Sequence, residues 1–401
     1  MRQKRLRKWT AVLLALVFAA LCALSGCGGK QAAVSVDNAK WNTNYMYVFV
    51  HGLSGWGSYD DRYDKLPYWG MRTGDALTTL KAAGFDCYAA SVDPQGSAWD
   101  RACELYAQLT GTRVDYGKAH SEKFVHKRYG EDYTGRGLIA KWSAKDKINL
   151  VGHSFGGATI RLFSELLANG SAAERAATDA DDLSPLFAGG KADWIWSITA
   201  LAAPHNGTSA YNVPHEQVDT LNAKQKLFSK LMGMGMSSGE SGYPRASKDY
   251  ADYDLKIGPA ASLNKRVHVF DNVYYFSVPC SGTTKQADGT YYPDEKLTEP
   301  TMFNTAALMG RYTGTTKGGY EITKDWLEND GLVNTISATA PFTDPSRSFD
   351  PAKDDLSSVE PGVWQVLPTF RGDHMSIVGG LVYKVPVAAY YADLMSRINS
   401  L

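Results

Sequence analysis

The sequence predicts an α/β fold: a mostly parallel sheet with helices on both faces. Three observations point there. Apolar, β-branched runs of strand length alternate with amphipathic helical stretches. One such run, 147–151, passes through Gly152-His153-Ser154-Phe155-Gly156 directly into a helix. Another, 45–50, runs into His51-Gly52-Leu53.

The 401 residues are 44% hydrophobic and 21% charged, an ordinary globular balance that supports one large core or two small ones. There are 42 basic and 42 acidic residues, so no cationic excess points to nucleic acid. No internal repeat is evident.

The N-terminus reads as a targeting segment. Arg2, Lys4, Arg5, Arg7 and Lys8 precede an apolar run, 10–23, that is short for a membrane span. Leu24-Ser25-Gly26-Cys27 resembles the lipobox of bacterial lipoproteins. That resemblance implies a signal peptide over 1–26 and a lipid on Cys27, anchoring the chain to a membrane rather than spanning it. Ordinary secretion with cleavage nearby is the other reading. The expected location is extracytoplasmic, as a cell-membrane lipoprotein or a secreted protein. Removing 1–26 leaves 37 basic and 42 acidic residues, a net charge of about −5. Residues 27–44 are small and polar, as a tether should be, and 45–401 form the folded domain. Cys22 leaves with the signal. Cys87, Cys103 and Cys280 are odd in number and lack metal-type spacing, which predicts buried free thiols.

Within the domain, 75–83 reads as a helix, 87–92 as a short strand and 99–109 as a helix. Residues 112–130 are aromatic, charged and irregular. The helix after Ser154 shows Ile160, Phe163, Leu166 and Leu167 at helical spacing and stops at Gly170. A strand over 194–203 ends in the turn Pro204-His205-Asn206-Gly207-Thr208. The character changes over about 209–252, where an amphipathic, methionine-rich stretch (221–236) is flanked by Gly, Ser and Pro. This insertion reads either as a mobile lid over a lipid site or as a core helix with a long loop. Strand character returns at 273–278, 282–319 is loop-rich, and a helix over 387–398 closes the chain.

The G-x-S-x-G stretch carries the chemistry. A serine lifted from a strand onto a strained turn needs neighbours without Cβ, and the following helix aims its first N–H groups where an oxyanion would form. A serine hydroxyl needs a histidine base, and the histidine needs an acid to fix its tautomer. His205, His215, His268 and His374 lie C-terminal to Ser154. In α/β hydrolases the chain order is serine, acid, histidine, which favours His374; His205 follows the serine too soon. Asp330, before Gly331 at the start of an apolar run, is the candidate acid, with Asp325 and Glu328 as local competitors. The N–H groups of Leu53 and Phe155 are the candidate oxyanion donors. His51 reads as structural, with no proton-transfer role.

Nine stretches resemble the bacterial thermoalkalophilic lipase family and its staphylococcal-type relatives: VFVHGLSGWG, YWG, WDRACELYAQL, VDYGKAH, GHSFGG, LSPLFAGG, APHNGT, WLENDGLVNT and DHMSIVG, in that order. The resemblance implies an α/β-hydrolase fold with a lid and zinc insertion. It implies Ser154, Asp330 and His374 as the triad, raising Asp330 above Asp325, and Leu53 and Phe155 as oxyanion donors. It also implies a structural zinc held by Asp75, His120, His126 and Asp254. His120 and His126 are six apart, about 240° around a helix, so they require an irregular segment. Two imidazoles and two carboxylates complete a tetrahedral shell with no open position.

Three departures stand out. The family's calcium site uses a glutamate two residues after the histidine, where this chain has Ser376, and the aspartate expected after Gly380 is missing, so calcium is not expected. The segment before Asp254 is shorter than in the thermoalkalophilic lipases. Phe155 stands where the family often has a polar residue, and its side chain is expected to narrow or grease the acyl pocket.

The expectation is a secreted, lipid-anchored carboxylic ester hydrolase, a lipase acting on acylglycerol-type esters. Its partners would be a lipid or ester substrate and, through Cys27, a membrane. A short- or medium-chain esterase or polyester hydrolase with a reduced lid is the rival within hydrolases. An acyltransferase and a non-catalytic lipid-binding surface lipoprotein are the rivals outside them.

Overall fold

A computed structural model describes residues 30–213 and 248–401. The signal segment, Cys27 and most of the lid-like stretch over 209–252, including all of 221–236, lie outside the described residues.

Strand β1 is Met46–Val50. Val48 and Val50 pack into one apolar cluster, Tyr47 and Phe49 into another. That two-residue alternation with both faces apolar marks a strand covered on both sides. Helix α1 (Ala76–Ala82) and strand β2 (Cys87–Ala90) follow, then helix α2 (Ala98–Thr110) and the short helix α3 (Lys118–Phe124). Strand β3 (Ile148–His153) leads into helix α4 (Phe155–Asn169). Strands β4 (Ile195–Leu201), β5 (Tyr274–Val278), β6 (Ser346–Ser348) and β7 (Trp364–Val366) precede the closing helix α5 (Ala388–Asn399).

The strands lie in the order β6-β7-β5-β4-β3-β1-β2, with every neighbouring pair parallel. Helices α2 and α4 cover one face through Cys103, Leu105, Leu109, Phe163 and Leu166. Helices α1 and α5 cover the other through Leu77, Leu80, Tyr391, Leu394 and Ile398. Each such buried side chain contributes roughly 1.5–3 kcal/mol. This is the α/β-hydrolase arrangement. Strands β1 and β3 are neighbours with Val50 opposite Gly152, so the segments that leave their C-terminal ends emerge side by side. The chain's order of strands changes direction there, which is where open parallel sheets build sites.

Two stretches read as irregular contain helices. Residues 118–124 are helical because the Glu174 carboxylate, 54 and 55 residues away in sequence, accepts the N–H groups of His120 and Ala119 at 2.8 and 2.9 Å. A cap supplied from so far away leaves no local signal. Phe303–Met309 forms a helix within the loop-rich 282–319 stretch. Cys87, Cys103 and Cys280 are buried free thiols. Among the described residues no helix is long and apolar enough to cross a membrane.

Candidate active site

Ser154 sits between β3 and α4 with φ 55° and ψ −127°, a conformation that L residues avoid. The glycines around it are required by contact. A Cβ on Gly152 would lie 2.6 Å from the Gly156 carbonyl, and one on Gly156 would lie 2.2 Å from the Val50 carbonyl. The helix can therefore start directly over the ends of β1 and β3 only with glycine at both positions. The strained turn is held by Ser154 N–H donating to the Leu201 carbonyl at 2.8 Å and by Gly157 N–H donating to the Ser154 carbonyl at 2.9 Å.

Asp330 and His374 are both buried, and His374 Nδ1 lies 2.8 Å from Asp330 Oδ2. The other carboxylate oxygen accepts N–H groups from Leu332 at 3.0 Å and Val333 at 2.7 Å. His374 N–H also donates to the Asp330 carbonyl at 2.8 Å. The carboxylate can only accept, so the ring proton belongs on Nδ1 and the lone pair on Nε2. Asp325 lies in a different turn, the 3₁₀ segment Lys324–Trp326, where its N–H donates to the Thr323 hydroxyl at 3.4 Å, and it is not part of this pair.

His153 joins the nucleophile turn to the histidine. Its ring lies 4.7 Å from that of His374, and its Nε2–H donates to the His374 carbonyl at 2.9 Å. Its Nδ1 then accepts the Tyr68 hydroxyl at 2.6 Å, and that hydroxyl accepts Gly52 N–H at 3.1 Å. Burial, followed by the facing His374, holds His153 well below the usual histidine range, so it stays neutral in this chain of contacts.

Gly52 touches the serine: a Cβ there would sit 2.7 Å from Ser154 Cβ. Its carbonyl accepts His51 Nδ1–H at 2.8 Å and Arg101 Nη1–H at 3.4 Å. A trans peptide is planar, so fixing the Gly52 carbonyl also fixes the direction of the Leu53 N–H on the opposite side. His51 is buried and pushed down to about 3, by burial first and by Arg101 second. Its Nε2 accepts Val92 N–H at 3.3 Å, which makes it an architectural group. Phe155 begins α4, where the first N–H groups have no partner within the helix. Its side chain is fully buried with the Arg101 guanidinium 5.0 Å over the ring. It therefore does not line an acyl pocket, correcting the expectation from sequence; a buried cation claims the ring face instead.

A second constellation lies away from the serine. Ligand atoms of Asp100, His120, His126 and Asp249 all lie within 4.8 Å of one another. His120 Nε2 is 3.2 Å from Asp100 Oδ1 and 3.1 Å from Asp249 Oδ2, and His126 Nε2 is 3.3 Å from the same Asp249 oxygen. His126 Nδ1–H donates to the Lys127 carbonyl at 2.9 Å, leaving Nε2 as the ligand nitrogen. His126 Nε2 and Asp100 Oδ1 are buried, and the polar atoms they face belong to this cluster. Two imidazole nitrogens and two carboxylate oxygens aimed at one point fit a four-coordinate zinc. Burial opposes charge on His120, but hydrogen bonds to Asp100 and Asp249 outweigh it and raise the ring to about 9. The site thus favours positive charge.

The structure corrects the two carboxylates expected here. Asp75 caps α1, accepting Leu77 N–H at 3.1 Å and the Thr78 hydroxyl at 2.7 Å. Asp254 caps α2, accepting Ala98 N–H at 2.9 Å. Asp100 and Asp249 take their places. Asp100 lies within WDRACELYAQL, and its signal is a carboxylate at the third residue of a helix that packs on the core. Asp249 lies five residues before Asp254 in an acid-rich run, where spacing alone cannot choose. A cavity of about 590 Å³ opens beside this cluster, lined by Trp99, His120, Phe124, Leu162, Asp254 and Arg266 among others; Ser154 is not in its lining.

A family model described as a lipase-like, C-terminal domain matches residues 43–239 and 238–385. Lipase 2 of Staphylococcus aureus (strain MRSA252) is 32% identical over 366 residues, covering 84% of this chain and 50% of that protein. Lipase 1 of the same strain is 33% identical over 377 residues, covering 88% of this chain and 53% of that protein. The chain thus spans about half the length of these two relatives. Among solved structures, EstA from Clostridium botulinum superposes with a TM-score of 0.77 at 31% identity, covering 96% of this chain and 97% of that one. The Staphylococcus hyicus lipase gives 0.73 at 28% identity, covering 92% and 98%.

Proposed function

The chain belongs to the lipase family that these comparisons identify, and we propose that it is a serine carboxylic ester hydrolase, a lipase acting on acylglycerol-type esters. The observation that carries this reading is the buried Asp330–His374 pair packed, through His153, against the strained Ser154 turn. His374 Nε2 takes the Ser154 hydroxyl proton as Oγ attacks the ester carbonyl. The negative charge that develops on the carbonyl oxygen is met by the N–H groups of Leu53 and Phe155. His374 then returns the proton to the leaving alcohol, and water, deprotonated in the same way, releases the acid from Ser154.

Zinc is proposed as a structural ion held by Asp100, His120, His126 and Asp249. When bound it supplies a cross-link between α2, α3, the turn after α3 and the segment at Asp249. The residues that move protons lie elsewhere. Calcium has no role in this reading: the Ser376 hydroxyl donates to Asp373 at 2.8 Å. Lipid attachment at Cys27 and an extracytoplasmic location complete the proposal, on the strength of the N-terminal sequence.

The test is a series of p-nitrophenyl esters from acetate to palmitate, with and without a zinc chelator. A rate maximum at long acyl chains, with stability rather than turnover lost on chelation, supports a lipase with structural zinc. A maximum at acetate replaces it with a short-chain esterase, and prompt loss of turnover in a folded chelated protein removes the structural role of the metal.

A further inference from the structure

Two buried carboxyls beside the histidine take no part in that chemistry. Asp373 immediately precedes His374, and Glu299 lies against it; both are fully buried. Asp373 is richly served. Its Oδ1 accepts Met375 N–H at 3.1 Å, Ser376 N–H at 3.0 Å and the Ser376 hydroxyl at 2.8 Å, and its Oδ2 accepts Glu299 N–H at 2.7 Å. Glu299 is served on one side only. Its Oε1 accepts Val382 N–H at 2.6 Å and Tyr383 N–H at 3.1 Å, while Oε2 is buried with no partner. Four donors stabilise an anion at Asp373. A carboxylate oxygen with no donor, next to that anion, is far costlier than a carboxylic hydroxyl in the same place.

We propose that Glu299 is a positioning residue that works as a neutral carboxylic acid: its proton lets it sit beside the Asp373 anion and clasp the 380–383 segment to the loop carrying His374. The inference rests on His374 being the base of the proposed reaction. Burial first and the Asp373 charge second push Glu299 up to about 8. An acid whose proton is held more tightly when folded adds stability below its unfolded range and loses it as pH rises through the folded value. The proton therefore stays on Glu299 at neutral pH and leaves above about pH 8, while the stability it adds falls steadily from the unfolded carboxyl range up to that value.

The surrounding charges agree with this direction. Burial first, and Asp330 after it, raise Asp373 to about 6, below Glu299, so the proton rests on Glu299. Tyr383, on the clasped segment, is itself raised by burial and then by Glu299, so it is neutral when Glu299 ionises. His374 faces Asp330. Arg371 is turned to the Ser281 hydroxyl and the Thr283 carbonyl, both at 3.1 Å. Glu295, Lys296 and Lys384 are exposed to solvent.

The experiment compares the parent, Glu299→Gln and Glu299→Ala, each with and without Ser154→Ala, from about pH 6 to about pH 10. Melting temperature is followed in all of them, and kcat and KM on a soluble p-nitrophenyl ester in those retaining Ser154. Glutamine copies the neutral acid, so its fall in melting temperature between about pH 6 and about pH 8 should flatten, and its alkaline kcat midpoint, scaled to its own maximum, should move up by at least ~1 pH unit. Alanine leaves two N–H groups without an acceptor and should lower kcat by about 10-fold at every pH with KM nearly unchanged. The Ser154→Ala pair reads the same flattening without turnover, so failure of the ester-hydrolase reading would not be mistaken for failure of this one. If Glu299→Ala does not fold, Glu299→Gln decides. Superimposable alkaline limbs for parent and Glu299→Gln overturn the proposal. So does recovery of the alkaline parent on adding calcium, which would make the pair a cation site.

Discussion

Adjacent residues on helix α2 serve two corners of the molecule that are held together in opposite ways. Arg101 reaches the Gly52 carbonyl beside Ser154, and Asp100 reaches the metal cluster. The serine corner is made by the sheet. Strands β1 and β3 pair in register, and two glycines let helix α4 start over their ends. The metal corner has one anchor in that framework. Its other three ligands come from a seven-residue helix, the turn after it and the segment at Asp249. The contrast teaches that the serine corner spends stability on strain the sheet can bear, whereas the candidate metal corner joins separate segments that a bound ion would cross-link. Damage to the first should alter chemistry with little effect on stability, and damage to the second the reverse.

The largest expected effect breaks the serine corner alone. Ser154→Ala should lower kcat by about 10⁴- to 10⁶-fold, while the zinc content by elemental analysis and the melting temperature stay near parent values. Retained turnover would remove the serine mechanism. Asp330→Asn should follow at about 10⁴-fold in kcat, because an amide cannot hold the Nδ1–H tautomer of His374. Asp325→Asn should stay within about 2-fold on the same assay, since Asp325 lies in a turn capped by Thr323, outside the Asp330–His374 pair.

The next effect breaks the metal corner. Asp100→Asn and Asp249→Asn should each lose bound zinc, and with it the stability that binding adds, about 2.7 kcal/mol when free zinc is a hundred times its Kd. Asp75→Ala should keep full zinc stoichiometry and lose about 1 kcal/mol as a missing helix cap. Zinc stoichiometry measured on the purified variants separates the two sets. Loss of metal from Asp75→Ala with metal retained in Asp100→Asn would reverse the ligand assignment.

The same contrast explains what could be read from the sequence. The serine corner is written in consecutive residues: a strand, G-x-S-x-G, then a helix with Ile160, Phe163 and Leu167 on one face. Its geometry follows from local rules, and strand β1 with His51-Gly52-Leu53 follows from the same pattern. Asp330 and His374 needed chain order and family likeness, because their pairing at 2.8 Å joins residues 44 apart. The metal carboxylates were not legible. Asp75 occupies the N-cap of α1, a role that local sequence fills with aspartate as readily as a ligand role, and Asp254 accepts the first N–H of α2 from 156 residues away. Whether a given aspartate caps or coordinates depends on which segments fold beside it. The Tyr68–His153 contact and the Glu174 cap on α3 were invisible for the same reason.

The smallest effect sharpens the comparison from the metal side. Val125 ends α3 with φ 62°, a left-handed conformation that is costly for a β-branched residue, and its side chain is 89% exposed. Nothing packs there to repay the strain locally. The turn it makes carries the chain from His120 back to His126, whose rings come within 5.3 Å. Val125→Gly removes the clash and keeps the turn, at the expense of a more flexible unfolded chain. The expected outcome is a gain of about 0.5–1 kcal/mol in thermal or denaturant unfolding. The gain should be equal with zinc and after chelation, because the strain is in the backbone and not in the ion's shell. Turnover on a soluble ester should not change. A gain seen only after chelation would mean that the metal, rather than the chain, imposes the left-handed turn, and the metal corner would then be shaped by its ion.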